Sequence, residues 1–396
     1  MALSAGTRRT VACLLVGLGA LLIVMALLIP TYTVGKLAKT PLDLEITTIA
    51  TSREDEPSLV LDSKSLTAPQ GSAKIDENVP LLSQRFVTVE EPSDADQMTV
   101  QAGQTLRRTD RQGDTGLLTA SVDRVTIDRK TGEPVSTEPN GSISVSTNEK
   151  GEPLTEPVQH VGLQYRFPIG TEKKDYPYFD LNARATYPAV FKEETEINGT
   201  TVYHFQNSVP ATSMYDVVKA PTNRLTLPAA KWGLEGGDTP VTLTRYYKNV
   251  RDLYVEPQTG TVISGGESLH IFYGRSAEQE DVTALKSHLV FDDETVESQL
   301  SIAKDSIDTL NTFGRIVPIV LGVLGVIALI AGILLGIRGG SAPATASSGG
   351  FGPRGGSGYS SRTAPSAPAA PPAQGAVRRG EDDAPTEQIN VDKKNL

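Results

Sequence analysis

Aromatic side chains are concentrated between Tyr165 and Phe191, a stretch that holds seven of the 22 aromatic residues of the chain. Prolines and two lysines are interleaved with them in an otherwise acidic region. Rings beside prolines suit the rim of an apolar pocket, where ring faces contact acyl chains or sugars and tyrosine hydroxyls supply hydrogen bonds. An ordinary pair of core strands with a basic surface loop explains the pattern equally well. The candidate ligand-binding residues are Tyr165, Phe167, Lys173, Lys174, Tyr176, Tyr178, Phe179, Tyr187 and Phe191.

Signatures of catalysis and metal binding are isolated or missing in this sequence. The four histidines have no metal-ligand spacing, and Ser301-Ile-Ala-Lys304 fits an S-x-x-K nucleophile motif without its companion motifs. The single cysteine, Cys13, lies inside an apolar run, which excludes both a disulfide and a cysteine-based metal site. We therefore predict a non-enzymatic protein with no catalytic residues, no metal and no cofactor.

Two uncharged apolar runs, residues 11–29 and 316–337, lie near opposite ends of the chain. A bilayer core needs about 20 apolar residues in a helix, so each run is long enough to span it. Arg8 and Arg9 precede the first run, and Arg338 and further arginines follow the second. Because basic residues favour the cytoplasmic side, we predict a plasma-membrane protein with both ends inside and the central domain outside.

The segment between the two runs is strongly acidic. The whole chain has a formal charge of −10, and 28 basic against 42 acidic residues fall between positions 31 and 315. A domain of this charge does not attract nucleic acid through its electrostatic field. Nucleic acid is therefore excluded as a partner, whereas oligomeric state is left open.

The central segment has the pattern of an antiparallel β domain. Apolar residues alternate with polar ones along residues 163–169, 241–247 and 269–273, which is typical of half-buried strands. Asn198-Gly199 between two such runs predicts a type I′ hairpin. The fold class that follows is a mainly β extracytoplasmic domain of twisted antiparallel sheets, as one β-unit or two related ones, with two transmembrane α-helices.

A faint internal repeat is consistent with two related β-units but does not decide between one unit and two. The stretches from Asp128 to Val135 and from Glu256 to Ile263 share an acid, then Thr-Gly at the third and fourth positions after it, then a β-branched residue. Each follows a strand-like run. An internal duplication explains the repeat, and so does the independent use of one common turn.

The residues before the second apolar run change to a helical period. Val296, Leu300, Ala303, Ile307 and Leu310 form one stripe, which predicts a stalk helix that packs on the central domain or on the chain leaving the first span.

The final segment, rich in Gly, Ala, Ser and Pro, is predicted to be disordered, with Thr386 as a candidate phosphorylation site. The predicted divisions are 1–10 inside, 11–29 spanning, 31–292 β-rich, 293–315 stalk, 316–337 spanning and 338–396 tail.

Several stretches resemble one actinobacterial family of unknown function that is labelled the porin PorA family. They are 123–135, 166–180, 185–191 and 194–205, and the resemblance covers residues 8 to 338. It implies an envelope protein of mycolate-bearing bacteria, linked to polar growth and to trehalose-mycolate trafficking beside an MmpL-type lipid exporter. It supplies no catalytic residue. The porin label itself does not fit the residues, because barrel strands that cross a membrane carry an apolar outer band.

Residues and resemblance together lead to two expectations for the function. The first is a membrane-embedded protein whose β domain binds an envelope lipid or glycolipid of the trehalose-mycolate class and assists its transport, with the exporter as partner. The alternative is a non-catalytic scaffold that links an envelope machine to cytoplasmic polarity or kinase factors.

Overall fold

The computed structural model describes residues 5–33, 38–147 and 153–338. The predicted tail and its candidate site Thr386 lie outside these residues.

Fifteen strands within the described part form one sheet in which neighbouring strands run antiparallel, so the predicted mainly β fold is confirmed. The strands are β1 Glu45–Ser52, β2 Leu59–Asp62, β3 Lys74–Glu77, β4 Leu81–Glu90, β5 Gln97–Arg108, β6 Leu117–Asp128, β7 Gly141–Thr147, β8 Pro153–Val158, β9 Tyr176–Asp180, β10 Ala185–Ile197, β11 Thr200–Ser213, β12 Arg224–Pro228, β13 Pro240–Glu256, β14 Thr261–Ser276 and β15 Gln279–Phe291.

Two long apolar helices accompany the sheet. The first, α1, begins at Ala5 and the last, α6, ends at Arg338, and each is long and apolar enough to cross a membrane. The stalk helix α5 continues through one wider turn, Thr312–Ile316, into α6, so that Asp293–Arg338 is one helix of 46 residues. The described helices are α1 Ala5–Leu28, α2 Ser63–Thr67, α3 Met214–Val217, α4 Ala229–Trp232, α5 Asp293–Asn311 and α6 Val317–Arg338.

The sheet curls until its two ends meet. The order of the main strands is β8-β7-β6-β5-β4-β1-β15-β14-β13-β11-β10-β9. Leu163, which follows β8, is bonded to β9: its N–H donates to the Pro177 carbonyl at 2.7 Å, and its own carbonyl accepts from the Phe179 N–H at 2.8 Å. Ile143 and Val158 pack against Phe179 at the same place. The curled sheet therefore has an interior as well as an outer face.

Local sequence patterns predicted some strands correctly and one wrongly. Residues 241–247 and 269–273 lie in β13 and β14, and Asn198-Gly199 joins β10 to β11 with positive φ at both positions, as a type I′ turn requires. Residues 163–169 are not a strand, although they alternate in the same way. Leu163 makes a single bridge to Tyr178 of β9, whereas the backbone N–H groups of Phe167 and Ile169 donate to turns from distant parts of the chain.

The stalk helix packs on the sheet. Leu300 and Ala303 are buried against Val202 of β11 and Ile263 of β14. The Asp292 carboxylate accepts from the Thr295 N–H at 2.8 Å and caps the helix. Helix α5 thus packs on the curled sheet before the chain continues into α6.

The two apolar helices pack closely against each other through glycines. A Cβ added at Gly325 would lie 2.8 Å from Ile23 Cγ1 and 2.9 Å from the Gly19 carbonyl oxygen. A Cβ at Gly332 would lie 2.8 Å from Val16 Cγ2. Small residues allow two helix backbones to approach in a membrane, where packing rather than hydrophobic burial drives association. Helices α1 and α6 therefore form one tight pair.

We expect that cysteines introduced at facing positions of α1 and α6 form a disulfide. In a background with Cys13→Ala, Ala26→Cys with Gly322→Cys should cross-link on oxidation, because a Cβ at Gly322 lies 3.7 Å from that of Ala26. Disulfide-bonded cysteines have Cβ atoms about 3.8 Å apart. The measurement is the mass of the joined peptides after proteolysis without reductant. Gly17→Cys with Gly322→Cys is the control, since nothing lies within 4 Å of a Cβ at Gly17. Equal linkage in both double variants would contradict the pairing.

Candidate functional site

The two repeated turns of the sequence have the same geometry and hold the same segment. In each, the acid side chain accepts backbone N–H groups two and three residues later, at 2.7–2.9 Å. The glycine of each turn has φ of +73° and donates to the carbonyl of the acid at 2.9 Å. Both turns contact residues 166–171: Phe167 donates to the Gly260 carbonyl, and Ile169 donates to the Lys130 carbonyl, each at 3.0 Å. The repeat is therefore a real structural feature, a pair of matched turns.

Most of the predicted aromatic residues belong to the core. Phe167 is fully buried, with Phe205 stacked on it at 4.7 Å between ring centroids and Tyr176 at 5.5 Å. Phe179 is buried against His160, and Phe191 packs on Phe205. Tyr187 packs on a separate core cluster around Val209 and Tyr247. These side chains stabilise the curled sheet, which is the burial alternative of the sequence analysis.

The predicted lysines lie on the surface. Lys173 forms an ion pair with Glu194 at 3.0 Å, and Lys174 forms one with Glu172. Both side chains are about half exposed, 49% and 59%. The paired carboxylates raise the pKa of each lysine. They are solvated surface ion pairs of little energetic weight.

Tyr165 and Tyr178 are different, because both line a cavity inside the curled sheet. We call it the central cavity; its volume is about 400 Å³ and helix α5 forms part of its wall. Much of the lining is apolar, including Ile46, Val87, Met98, Val100 and Leu289. Leu310 and Phe313, shortly before α6, extend the lining toward this apolar helix.

One part of the central cavity is polar. Arg85 of β4 donates to Gln104 of β5 at 3.3 Å. Arg251 of β13 donates to Glu267 of β14 at 2.7 Å and to the buried Asp180 of β9 at 2.5 Å. Each of the pairs Arg85–Gln104 and Arg251–Glu267 joins two consecutive strands, but the two pairs and Asp180 come from distant parts of the chain. Sequence reasoning missed all of them, since none stands in a motif.

The polar groups of the central cavity keep their charges. Burial opposes ionisation of Glu267, but the charges of Arg251 and Arg85 lower its pKa. Burial likewise opposes the charge of Arg251, but Tyr247, Asp180 and Glu267 raise its pKa. Burial and the nearby Asp123 raise the pKa of Tyr165, so that its hydroxyl remains protonated and donates to that carboxylate. The polar part is thus a set of ion pairs and a tyrosine donor.

Each histidine pairs with a different carboxylate. His160 contacts the buried Asp123 at 2.9 Å, and the three others lie far from it along the chain. Within the residues that the structure describes, no group of three or more His, Cys, Asp or Glu side chains is arranged to hold a metal ion. The remaining histidine pairs are His204 with Asp252, His270 with Glu280 and His288 with Glu56.

Comparison with known proteins identifies relatives along most of the chain. A family model described as porin PorA matches residues 11–334. A porin PorA of Corynebacterium amycolatum is 34% identical over 321 residues, covering 71% of this chain and 82% of the relative. A porin PorA of Corynebacterium resistens is 32% identical over 378 residues, covering 78% of this chain and 91% of the relative.

These names correct the expected function. The prediction of a lipid-binding protein for trehalose-mycolate transport, and with it the mycomembrane and polar-growth assignments, is wrong, because the relatives are named as porins. The scaffold alternative is not supported better, and neither a lipid nor an MmpL-type exporter is supported as a partner. The apolar helices and the relatives indicate an envelope membrane location. Since the family model extends over both apolar helices and the sheet between them, the chain belongs to the porin PorA family.

Proposed function

We propose that this protein forms a channel in an envelope membrane. The observation that carries the proposal is the match to the porin PorA family along residues 11–334, which includes both membrane-spanning helices and the whole sheet. A porin allows solutes to pass without chemical change, so the proposal needs no catalytic group.

The membrane-embedded part of such a channel is helical. Exposed positions of β10 carry Lys192, Glu193, Glu194 and Glu196, which are unsuited to contact with lipid tails. Helix α1 from Val11 to Leu28 and helix α6 from Val317 to Ile337 carry no charged side chain and are the parts that suit the bilayer. One closely packed pair of helices leaves no room for a water-filled path between its members. We therefore propose that several copies assemble, so that their helix pairs surround the channel.

The orientation within the membrane completes the proposal. Arg8 and Arg9 before the first span and Arg338 after the second favour the cytoplasmic side for both ends. The acidic sheet domain then lies outside the cytoplasm, above the helices. In this position its central cavity, which reaches Leu310 and Phe313, adjoins the outer end of the helical assembly.

Single-channel recording tests the proposal. The full chain, purified in detergent, is added to a planar lipid bilayer in potassium chloride, and discrete conductance steps are expected. A mock preparation from cells without the gene, taken through the same purification, is the control for contaminating channels. Steps at the frequency of the mock preparation, over a range of voltages and protein amounts, would contradict a channel.

A channel built from helix pairs also predicts the effect of Gly325→Leu. The added side chain would overlap Ile23 and the Gly19 carbonyl, so the pair would separate and the steps should be lost. Retention of normal steps in this variant would contradict a helical path while leaving channel formation itself in place.

A further inference from the structure

Arg166 lies on the wall of the central cavity, where both matched turns contact its side chain. Its Nη2 donates to the Thr259 carbonyl at 2.7 Å, and its Nε donates to the Phe167 carbonyl at 3.4 Å. From the other turn, Gly132 lies against the aliphatic part of the side chain, since an added Cβ there would be 3.0 Å from Arg166 Cγ. Backbone groups, rather than an acid, therefore hold the guanidinium in place.

The charge of Arg166 has no carboxylate partner among the described residues. Burial lowers the pKa of its guanidinium to about 10, so it is still charged at neutral pH. A nearby acid would raise this pKa, as Asp180 and Glu267 do for the pKa of Arg251, and no acid does so here. Glu267 and Asp305, the acids of the cavity lining, are therefore too distant to offset the charge. A buried charge without a counter-charge is unfavourable, and an anion that enters the cavity would remove this cost.

The guanidinium also has donors that a ligand can reach. Arginine presents a fork of N–H donors, and Arg166 uses two of them in its hydrogen bonds to Thr259 and Phe167. Its Nη1 has no partner among the described residues and, unlike Arg85 Nε, is not a fully buried atom. Because Arg166 lines the central cavity, a molecule inside the cavity can accept hydrogen bonds from Nη1.

The rest of the wall indicates which kind of anion fits. Much of the lining is apolar, with Met98, Ile127 and Ile169 among its residues, and a volume of about 400 Å³ suits a compact hydrocarbon body. A carboxylate accepts charge-assisted hydrogen bonds from a guanidinium and supplies the missing negative charge. We propose that the central cavity binds a small organic carboxylate, whose charged group contacts Arg166 and whose hydrocarbon part contacts the apolar wall. This binding site does not depend on channel formation.

A set of three matched probes tests the inference. Cyclohexanecarboxylate carries both a ring and a charge, cyclohexanol lacks the charge, and acetate lacks the ring. Their binding to the full chain in phosphatidylcholine nanodiscs at neutral pH is measured by ligand-observed NMR, with empty nanodiscs as the blank. Cyclohexanecarboxylate should bind saturably and at least about tenfold more tightly than either of the other probes. Absence of saturable binding, or an affinity no higher than that of cyclohexanol or acetate, would overturn the proposal.

Two arginine variants connect the binding to Arg166. Arg166→Gln should weaken cyclohexanecarboxylate binding by about tenfold or more and leave cyclohexanol binding unchanged, because only the charged contact is lost. Arg107→Gln is the matched control, since Arg107 also donates to the carbonyl of a turn residue, Gly113, but does not line the cavity. It should leave both affinities unchanged. Equal weakening by the two variants, or no weakening by Arg166→Gln, would overturn the proposal.

Ile169→Trp tests the same site with the guanidinium retained. Ile169 follows Arg166 in the segment that the matched turns hold, and it lines the same cavity. A larger side chain there should reduce the space for the ring and weaken cyclohexanecarboxylate binding. Unchanged binding in Ile169→Trp would overturn the proposal even if Arg166→Gln does not fold.

Discussion

Replacing Arg251 with methionine is expected to destabilise the fold by about 3–5 kcal/mol, the cost of breaking a buried ion pair on one side. The guanidinium lies between two carboxylates, Asp180 at 2.5 Å and Glu267 at 2.7 Å, and also donates to the Tyr247 hydroxyl at 3.0 Å. Asp180 is fully buried. Without Arg251, both acids would lose the positive charge that offsets their removal from water.

Thermal unfolding of the full chain in detergent, followed by circular dichroism, measures this effect. For a domain of this size, each kcal/mol of lost unfolding free energy lowers the midpoint temperature of unfolding by about 2–4 °C. A decrease of about 6–20 °C is therefore expected. Arg275→Met is the control, because Arg275 also pairs with an aspartate but is about half exposed. Adding Asp180→Asn to Arg251→Met should recover part of the loss. A decrease no larger than that of Arg275→Met would contradict the buried role of Arg251.

Gly260→Ala is expected to be similarly damaging, by about 3 kcal/mol or more, because backbone strain and a clash act together. The residue has φ of +73°, and an added Cβ would lie 2.1 Å from the Phe167 carbonyl oxygen. The turn would have to move away from residues 166–171. It would then lose the hydrogen bond from Phe167 to Gly260 and that from Arg166 to the Thr259 carbonyl.

Gly199→Ala separates the cost of backbone strain from the cost of the clash. Gly199 has φ of +76°, close to that of Gly260, but nothing lies within 4 Å of an added Cβ. This variant should therefore show only the backbone cost, about 1–2 kcal/mol. The same thermal unfolding measurement compares the two variants. Equal losses would mean that the contact between the turn and residues 166–171 contributes nothing to stability.

The sequence predicted those elements whose signals are local. Two uncharged runs predicted two long helices, and the helical stripe that includes Leu300 and Ala303 predicted the stalk. Alternation predicted β13 and β14, and Asn198-Gly199 predicted the hairpin between β10 and β11. In each case the residues that carry the signal belong to one continuous segment of the chain. No distant partner therefore has to be known.

The residues of the candidate site lie in three different surroundings. Tyr165 and Tyr178 line the central cavity, whereas Phe167, Tyr176 and Phe179 fill the core and Lys173 and Lys174 lie on the surface. An aromatic residue is buried by either arrangement, so its type does not distinguish a cavity wall from a packed core. Whether the two tyrosines contact a ligand stays a prediction.

The sequence by itself determined that this protein has two long apolar helices and is built from antiparallel strands, because length, hydropathy and residue period are properties of short segments. Only the tertiary structure decided that residues 163–169 are held by two matched turns rather than paired as a strand. It also decided which side chains line the central cavity. Arg85 of β4, Arg251 of β13 and Gln299 of α5 are separated by long stretches of chain and come to one cavity because the sheet curls and α5 packs on it. Such non-local pairing leaves no pattern in any single segment.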